Sequence, residues 1–116
     1  MIYRFDGTFE GLLSVVFDSW HRFHEVTMVE RPGPSTMFKE QWIPADLEKS
    51  QRIYEWLKKD YPFFLRDYFR YGYLSEEKNM DYYNVFHVHL VYQFGEKILH
   101  RADPYTRKYV EGVRKV

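Results

Sequence analysis

The sequence contains no cysteine. That one absence removes disulfides, zinc–thiolate sites, iron–sulfur ligation and thiol nucleophiles together. It has no long apolar run: the longest, from Leu12 to Phe17, is interrupted by Ser14. A bilayer span needs about 20 consecutive apolar residues, so no membrane-spanning stretch is expected. The N-terminus enters a strand pattern directly and shows no signal-peptide pattern, which makes a cytoplasmic protein the expectation. There is no internal repeat and no low-complexity segment. There is no excess of charge either, with 17 Lys and Arg against 17 Asp and Glu. Bulk electrostatics therefore does not mark the chain as a nucleic-acid binder. A glycine-rich phosphate loop and a nucleophile elbow are both missing. The carboxylates are scattered, and nothing marks a pair with opposed proton affinities. No catalytic residue, metal ligand set or cofactor is assigned from the sequence.

Aromatic residues are present in excess. They make up 21% of the chain, with eleven Tyr and ten Phe. Rings supply large buried area per residue. A chain of 116 residues has single-domain length, and such a domain buries roughly two-thirds of the surface its unfolded form exposes. The opening organises the rest. Ile2 to Phe5 has strand character, and Asp6-Gly7 makes a turn. Phe9, Leu12, Leu13, Val16, Phe17, Trp20 and Phe23 then recur at three- and four-residue steps, which places one apolar stripe on a helix reaching about His24. Glu10, Ser14, Asp18 and Arg22 fall on its other side. Thr8 or Gly7 can cap it.

Residues 25–30 alternate polar and apolar and carry β-branched side chains, as a strand does. Residues 31–35 hold two prolines and a glycine and form a loop. A short strand over 36–43 ends at Pro44. With Ile2–Phe5 these segments make a small sheet under the first helix. Asp46 caps a second helix through about Lys59, with Leu47, Ser50, Ile53, Tyr54 and Leu57 as its inner stripe and Trp56 off it. Pro62 opens a third helix that ends at Gly72. Ser75, followed by Glu76 and Glu77, restarts the chain. Residues 78–94 give a fourth helix by length, although 85–92 is rich in strand formers. Asp103-Pro104 begins a fifth, with Tyr109, Val110, Val113 and Val116 on its apolar stripe. The fold class is therefore α+β and helix-dominated, with about five helices and a small two- or three-stranded sheet in a single domain over residues 1–116.

Two stretches carry a resemblance. The run IYRFDGTFEGLL from Ile2 to Leu13 resembles the start of a bacterial family of probable DNA metabolism proteins. The run GEKILHRADPY from Gly95 to Tyr105 resembles the middle of that family, and Leu74-Ser75 falls where it has a similar pair. The resemblance implies a domain of unknown function encoded beside a radical-SAM protein that acts in DNA modification or repair. Elsewhere a related domain is fused to a uracil-DNA-glycosylase-like module. It brings no catalytic residues with it. Family members continue past the last helix into a segment with a His-Arg pair and Gly-Phe and Arg-Phe-like runs, which this chain lacks. By the resemblance, the chain corresponds to the N-terminal part of a longer domain.

The candidate site lies at the basic end. Residues 97–116 hold six Lys and Arg against two carboxylates, a net of +4. Arg101, Arg107, Lys108, Arg114 and Lys115 can neutralise phosphates, and Tyr105 and Tyr109 can stack on an unpaired base. The same charges equally suit a solvated helix face. Arg66 and Arg70, among the rings from Tyr61 to Tyr73, can also stack on bases, or can pair with Asp67 or Glu76 around a core. His21 with His24, and His87 with His89, are the nearest approach to metal-ligand spacing. The second pair shares a face only on a strand. The functional expectation is a non-catalytic accessory or docking domain of a DNA metabolism system, with DNA and a radical-SAM protein as partners. The alternatives are an enzyme component completed by a missing C-terminal segment or partner chain, and a plain interaction domain.

Overall fold

The computed structural model describes every residue, 1–116. Three strands and five helices follow one another, and the small sheet is parallel. The chain gathers into two compact units, Met1–Glu55 and Trp56–Val116. No helix is long and apolar enough to cross a membrane.

In the first unit, strand β1 (Ile2–Arg4) leads through Asp6-Gly7 into helix α1 (Phe9–Ser19) and on to strand β2 (Met28–Glu30). Strand β3 (Glu40–Trp42) pairs with the other side of β1, giving the order β2-β1-β3. Tyr3 sits opposite Val29 and Gln41. Parallel neighbours need a crossover, and α1 supplies it between β1 and β2. The turn before α1 is built locally. Gly7 adopts φ +84°, open to glycine at no steric cost. Asp6 Oδ1 accepts from the Thr8 backbone at 2.9 Å, and Thr8 Oγ1 accepts from Gly11 N at 2.9 Å. Thr8 is thus the cap.

α1 is shorter than its apolar stripe implies. It stops at Ser19, and Phe23–Glu25 forms a separate 3₁₀ turn. It is also buried on more than one side, since every residue from Gly11 to Val16 is buried. Ser14, expected on the polar face, is fully enclosed. Its hydroxyl donates to Glu10 O at 2.9 Å and accepts from Asp46 N at 3.0 Å, which settles its polar atom without water. Residues 36–39 do not continue β3. Met37 and Phe38 stand in solvent, and Arg4 ties the preceding loop by donating to Arg31 O at 2.6 Å and pairing with Glu40.

Helix α2 (Leu47–Asp60) is capped by Asp46, whose Oδ1 accepts from Lys49 N at 3.0 Å. Ser50 and Leu57 lie on its buried side as expected, but Leu47 is exposed in the first turn. The second unit continues with helix α3 over residues 62–74. It does not end at Gly72. Pro62–Phe64 is α-helical, Leu65–Phe69 makes a wider π turn, and Arg70–Leu74 returns to α geometry. Gly72 is kept bare because a Cβ there would lie 2.9 Å from the Asn84 side chain.

Ser75 does not start the next helix. It makes a local turn, its Oγ accepting from Glu77 N at 3.2 Å. Asn79 then takes a left-handed conformation, and helix α4 (Met80–Phe94) follows. The strand-forming run 85–92 is helical throughout. Gly95 ends α4 at φ +84°, Glu96–His100 forms a 3₁₀ turn, and helix α5 (Pro104–Arg114) closes the chain. Asp103 caps α5, its Oδ1 accepting from Thr106 N at 3.1 Å. Trp56 meets α4, with its ring 5.9 Å from Tyr92 and 5.5 Å from Tyr61.

Candidate functional site

The seven candidate residues at the basic end separate into three environments. Their spacing on α5 explains why. Residues seven apart return to nearly the same angle on an α-helix, and adjacent residues differ by about 100°. Arg107 and Arg114 therefore share one face, and Lys108 and Lys115 share the next. The two faces open onto different hollows.

Arg107 and Arg114 line a cleft of about 420 Å³ together with Arg101 and His100 from the 3₁₀ turn and its exit, Tyr68 from α3, and Leu99, Val110 and Glu111. Arg101 Nε lies 3.6 Å from Asp103 Oδ2. Asp103 is held below the ordinary carboxylate range, chiefly by the backbone hydrogen bond from Thr106 and further by the Arg101 charge. Arg107 and Arg114 are exposed and make no ion pair. Glu111 stands four residues after Arg107 and three before Arg114, on the same ridge, and it too is exposed without an ion pair. The cleft thus holds three arginines, two with no ion-pair partner, and a carboxylate between those two.

Lys108 and Lys115 face a smaller hollow of about 240 Å³ with Glu77, Lys78 and Met80, and Glu111 lines this hollow as well as the cleft. Lys115 Nζ is 3.2 Å from Glu77 Oε1. These lysines share their hollow with carboxylates rather than adding to the arginine cleft.

The two tyrosines diverge. Tyr105 is exposed, its ring set edge-on to Tyr83 at 6.3 Å and tilted to Phe86 at 6.2 Å. It can offer a face to a ligand. Tyr109 cannot. It is fully buried, with its ring stacked on His87 at 4.2 Å and its hydroxyl donating to Asn84 Oδ1 at 2.5 Å. Asn84 in turn donates to Phe69 O at 2.9 Å, at the end of the π turn. Burial pushes the Tyr109 phenol well above its ordinary value. Its place is the core that carries α5.

His87 belongs to the same core. Its Nδ1 lies 2.7 Å from Tyr83 O and its Nε2 3.0 Å from Thr106 Oγ1. A carbonyl only accepts, so Nδ1 carries the proton and Nε2 accepts from the threonine hydroxyl. Burial brings His87 down to about 4. His89, two residues on along a helix, points elsewhere, and burial brings it to about 4 as well. His24 Nε2 lies 3.8 Å from Glu25 Oε1 in the 3₁₀ turn after α1. Nowhere do three His, Asp or Glu side chains come together as a metal cage.

The aromatic block of α3 is core only in part. Phe64, Leu65 and Phe69 are buried, and Arg66 pairs with Asp67 at 3.0 Å. Phe63 and Tyr71 are exposed, and the half-buried Tyr68 lines the arginine cleft while stacking on Tyr109 at 6.4 Å. Tyr68, His100 and Glu111 are cleft residues that the charge pattern alone did not single out. The local signal for Glu111 was its helical spacing to both arginines. Tyr68 had none, because it comes to the cleft from a different helix. The chain matches no protein family, no curated protein and no solved structure.

Proposed function

We propose that this chain is a phosphate-recognising accessory domain of a DNA metabolism system, non-catalytic by itself, which holds nucleic acid through the cleft of Arg101, Arg107 and Arg114. The observation that carries the reading is the convergence of these three arginines from two elements onto one concavity, with Arg107 and Arg114 free of ion pairs. A guanidinium presents a planar fork of donors matched to phosphate oxygens, so arginines gathered in a cleft suit an anionic oxygen ligand better than lysines spread on a face. Lys108 and Lys115 line the neighbouring hollow and Tyr105 lines neither, so these three serve only as contacts outside the cleft. The resemblance of the opening and of residues 95–105 to DNA metabolism proteins supplies the biological setting, with a radical-SAM protein as the partner and the cytoplasm as the compartment.

The test is a salt titration of DNA binding by fluorescence anisotropy. Three phosphate contacts on single-stranded DNA give a log–log slope of about −2, since each contact contributes roughly −0.7. The double variant Arg107→Glu, Arg114→Glu is expected to lose at least tenfold in affinity at low salt, with unchanged circular dichroism, because both side chains are exposed. Absence of binding by the native chain at low salt, or binding that ignores the double reversal, overturns the proposal. Absence of binding favours protein docking instead. Met37, Phe38 and Trp42 give that second reading its footing, being large apolar side chains held in solvent. Its test is a pull-down of the radical-SAM partner with native chain and with Trp42→Ser.

A further inference from the structure

The two edges of the sheet differ. In β2 the central residue, Val29, is 3% exposed. In β3 Trp42 is 54% exposed, and Met37, Phe38 and Leu47 stand in solvent before and after the strand. The ladder to β1 fixes which peptide groups of β3 point outward. Ile2 N donates to Lys39 O at 2.9 Å, and Ile43 N donates to Arg4 O at 2.8 Å. Peptide groups alternate in direction along a strand, so residues 39, 41 and 43 address β1 while Glu40 and Trp42 point away. The backbone N–H and C=O of Glu40 and Trp42 have no partner within the chain. An open edge of this kind is a template for another extended strand. Residues 37–43 contain no proline to block it, and the Glu40 charge is already paired with Arg4. Lys39, the remaining charge, lies just outside the strand.

This edge is complementary to itself. Two copies related by a two-fold axis pair antiparallel, and outward-pointing residues must then face outward-pointing residues. An axis at Glu40 sets Glu40 against Glu40 of the second copy, and like charges directly opposite destabilise a pair. An axis at Trp42 sets Glu40 against Pro44 of the second copy, which has no N–H to give. An axis at Gln41 sets Glu40 against Trp42 and Trp42 against Glu40. Each such pair exchanges both of its N–H···O bonds, which satisfies both outward residues of both copies. The Gln41 side chains then meet across the axis, neutral, each amide able to donate and to accept. Bulk charge does not oppose the encounter, since 17 Lys and Arg balance 17 Asp and Glu.

We infer that the open edge of β3 is a self-association surface: two copies of this chain join edge to edge through antiparallel pairing of residues 40–42 about Gln41, bringing their sheets into one. The occupant is a second copy because the outward peptide groups, the neutral residue at the axis and the balanced charge are all supplied by this chain, in one register. Met37, Phe38 and Trp42 lie at the margins of the joint and lose water there. A strand of three residues makes a small interface, so the dimer is weak and forms at micromolar or higher concentration. The surface belongs to the first compact unit and the arginine cleft to the second, so the two readings stand independently.

The experiment is sedimentation velocity of the full-length chain from micromolar to submillimolar concentration, with circular dichroism to confirm that each variant is folded. The native chain is expected to pass from monomer to dimer as concentration rises. Gln41→Glu and Gln41→Lys each set like charges across the axis, and either alone should weaken the dimer by about fivefold or more. Mixed in equal amounts, the two variants set opposite charges there, and dimerisation should return to within about twofold of native. Only a two-fold joint centred on Gln41 gives that rescue. Trp42→Pro provides a second route. It removes an outward donor and leaves the bonds between β3 and β1 in place, so the variant should fold and stay monomeric. A native chain that is monomeric at every concentration overturns the inference. So does a dimer undiminished by Trp42→Pro or by both Gln41 variants, and so does loss in the single variants without recovery in the mixture. None of these outcomes bears on the arginine cleft.

Discussion

Tyr109 shows how far a single residue's role depends on its neighbours. In the sequence it is one of two tyrosines within a basic helix, and its spacing from Tyr105 places both on one side. In the fold, Tyr105 stays in solvent while Tyr109 is sealed between His87 and Tyr68. Its hydroxyl and the Asn84 amide form a short buried relay that ends on the Phe69 carbonyl. Such a relay is costly to interrupt, because the remaining acceptor is left without a donor. Tyr109→Phe keeps the ring stack and removes only that donor. It should lower unfolding free energy by about 1–3 kcal/mol in denaturant titration. DNA affinity, measured well below the unfolding midpoint, should stay within twofold. A tenfold loss of affinity in a folded variant would return Tyr109 to the binding surface. Gly72 teaches the same lesson from the other side. Its composition signal is that of a helix stop, yet it lies inside a helix, where Asn84 occupies the space a side chain would need.

At the level of elements, what local physics governs was legible. The strand at residues 2–4, the Asp46 and Asp103 caps, the Pro104 start and the Gly95 stop all depend on a few adjacent residues, and each is found. What was not legible depends on residues distant in sequence. Ser14 looks like a polar-face residue until Asp46 arrives to share its hydroxyl. The π turn of α3 gives no composition signal either. The cleft was half legible: charge and helical spacing nominate Arg107 and Arg114, but only the fold separates them from Lys108 and Lys115 and adds Tyr68. Helices α4 and α5 are joined by His87, and this joint makes a pH prediction. His87 is lowered from 6.5 to about 4 by burial, so the unfolded chain takes up its proton first as pH falls. Its contribution is therefore complete above the unfolded value and is lost as pH falls from about 6.5 toward 4, approaching 3 kcal/mol at the lower end. Asp103, whose folded value is depressed, adds a loss of the same sign only below its ordinary value of 3.8. Denaturant midpoints at pH 7 and pH 4.5 should show the difference. His87→Gln should flatten the profile, leaving the share that His89 contributes in the same window. A native profile flat over this range would mean that His87 takes up its proton at the same pH in the folded and the unfolded chain.

For the molecule as a whole, the two compact units differ in what acid can reach. The first unit encloses Tyr3, Phe5, Leu12, Val15, Val16 and Ile43 with three serines, and no titratable histidine or carboxylate is among its buried residues. Its histidines, His21 and His24, are exposed. The second unit holds both histidines with depressed proton affinity, the relay beneath α5 and the whole arginine cleft. Acid stress therefore falls on the unit that carries the proposed binding site. Local regions of a protein open with different free energies, and amide hydrogen exchange resolves them. Exchange of the whole chain at pH 5 compared with pH 7, corrected for the intrinsic rate, should show protection falling first in α4 and α5. β1 and the Gly11–Val16 core of α1 should retain theirs. Ligand affinity should decline with the protection of α5, since Arg107 and Arg114 keep their charge at either pH and only their placement is lost. Equal loss of protection in β1 and α5 at the same pH would show that the chain unfolds as one cooperative body. Affinity falling while α5 stays protected would instead assign the pH effect to a titrating group at the site rather than to the fold of α5.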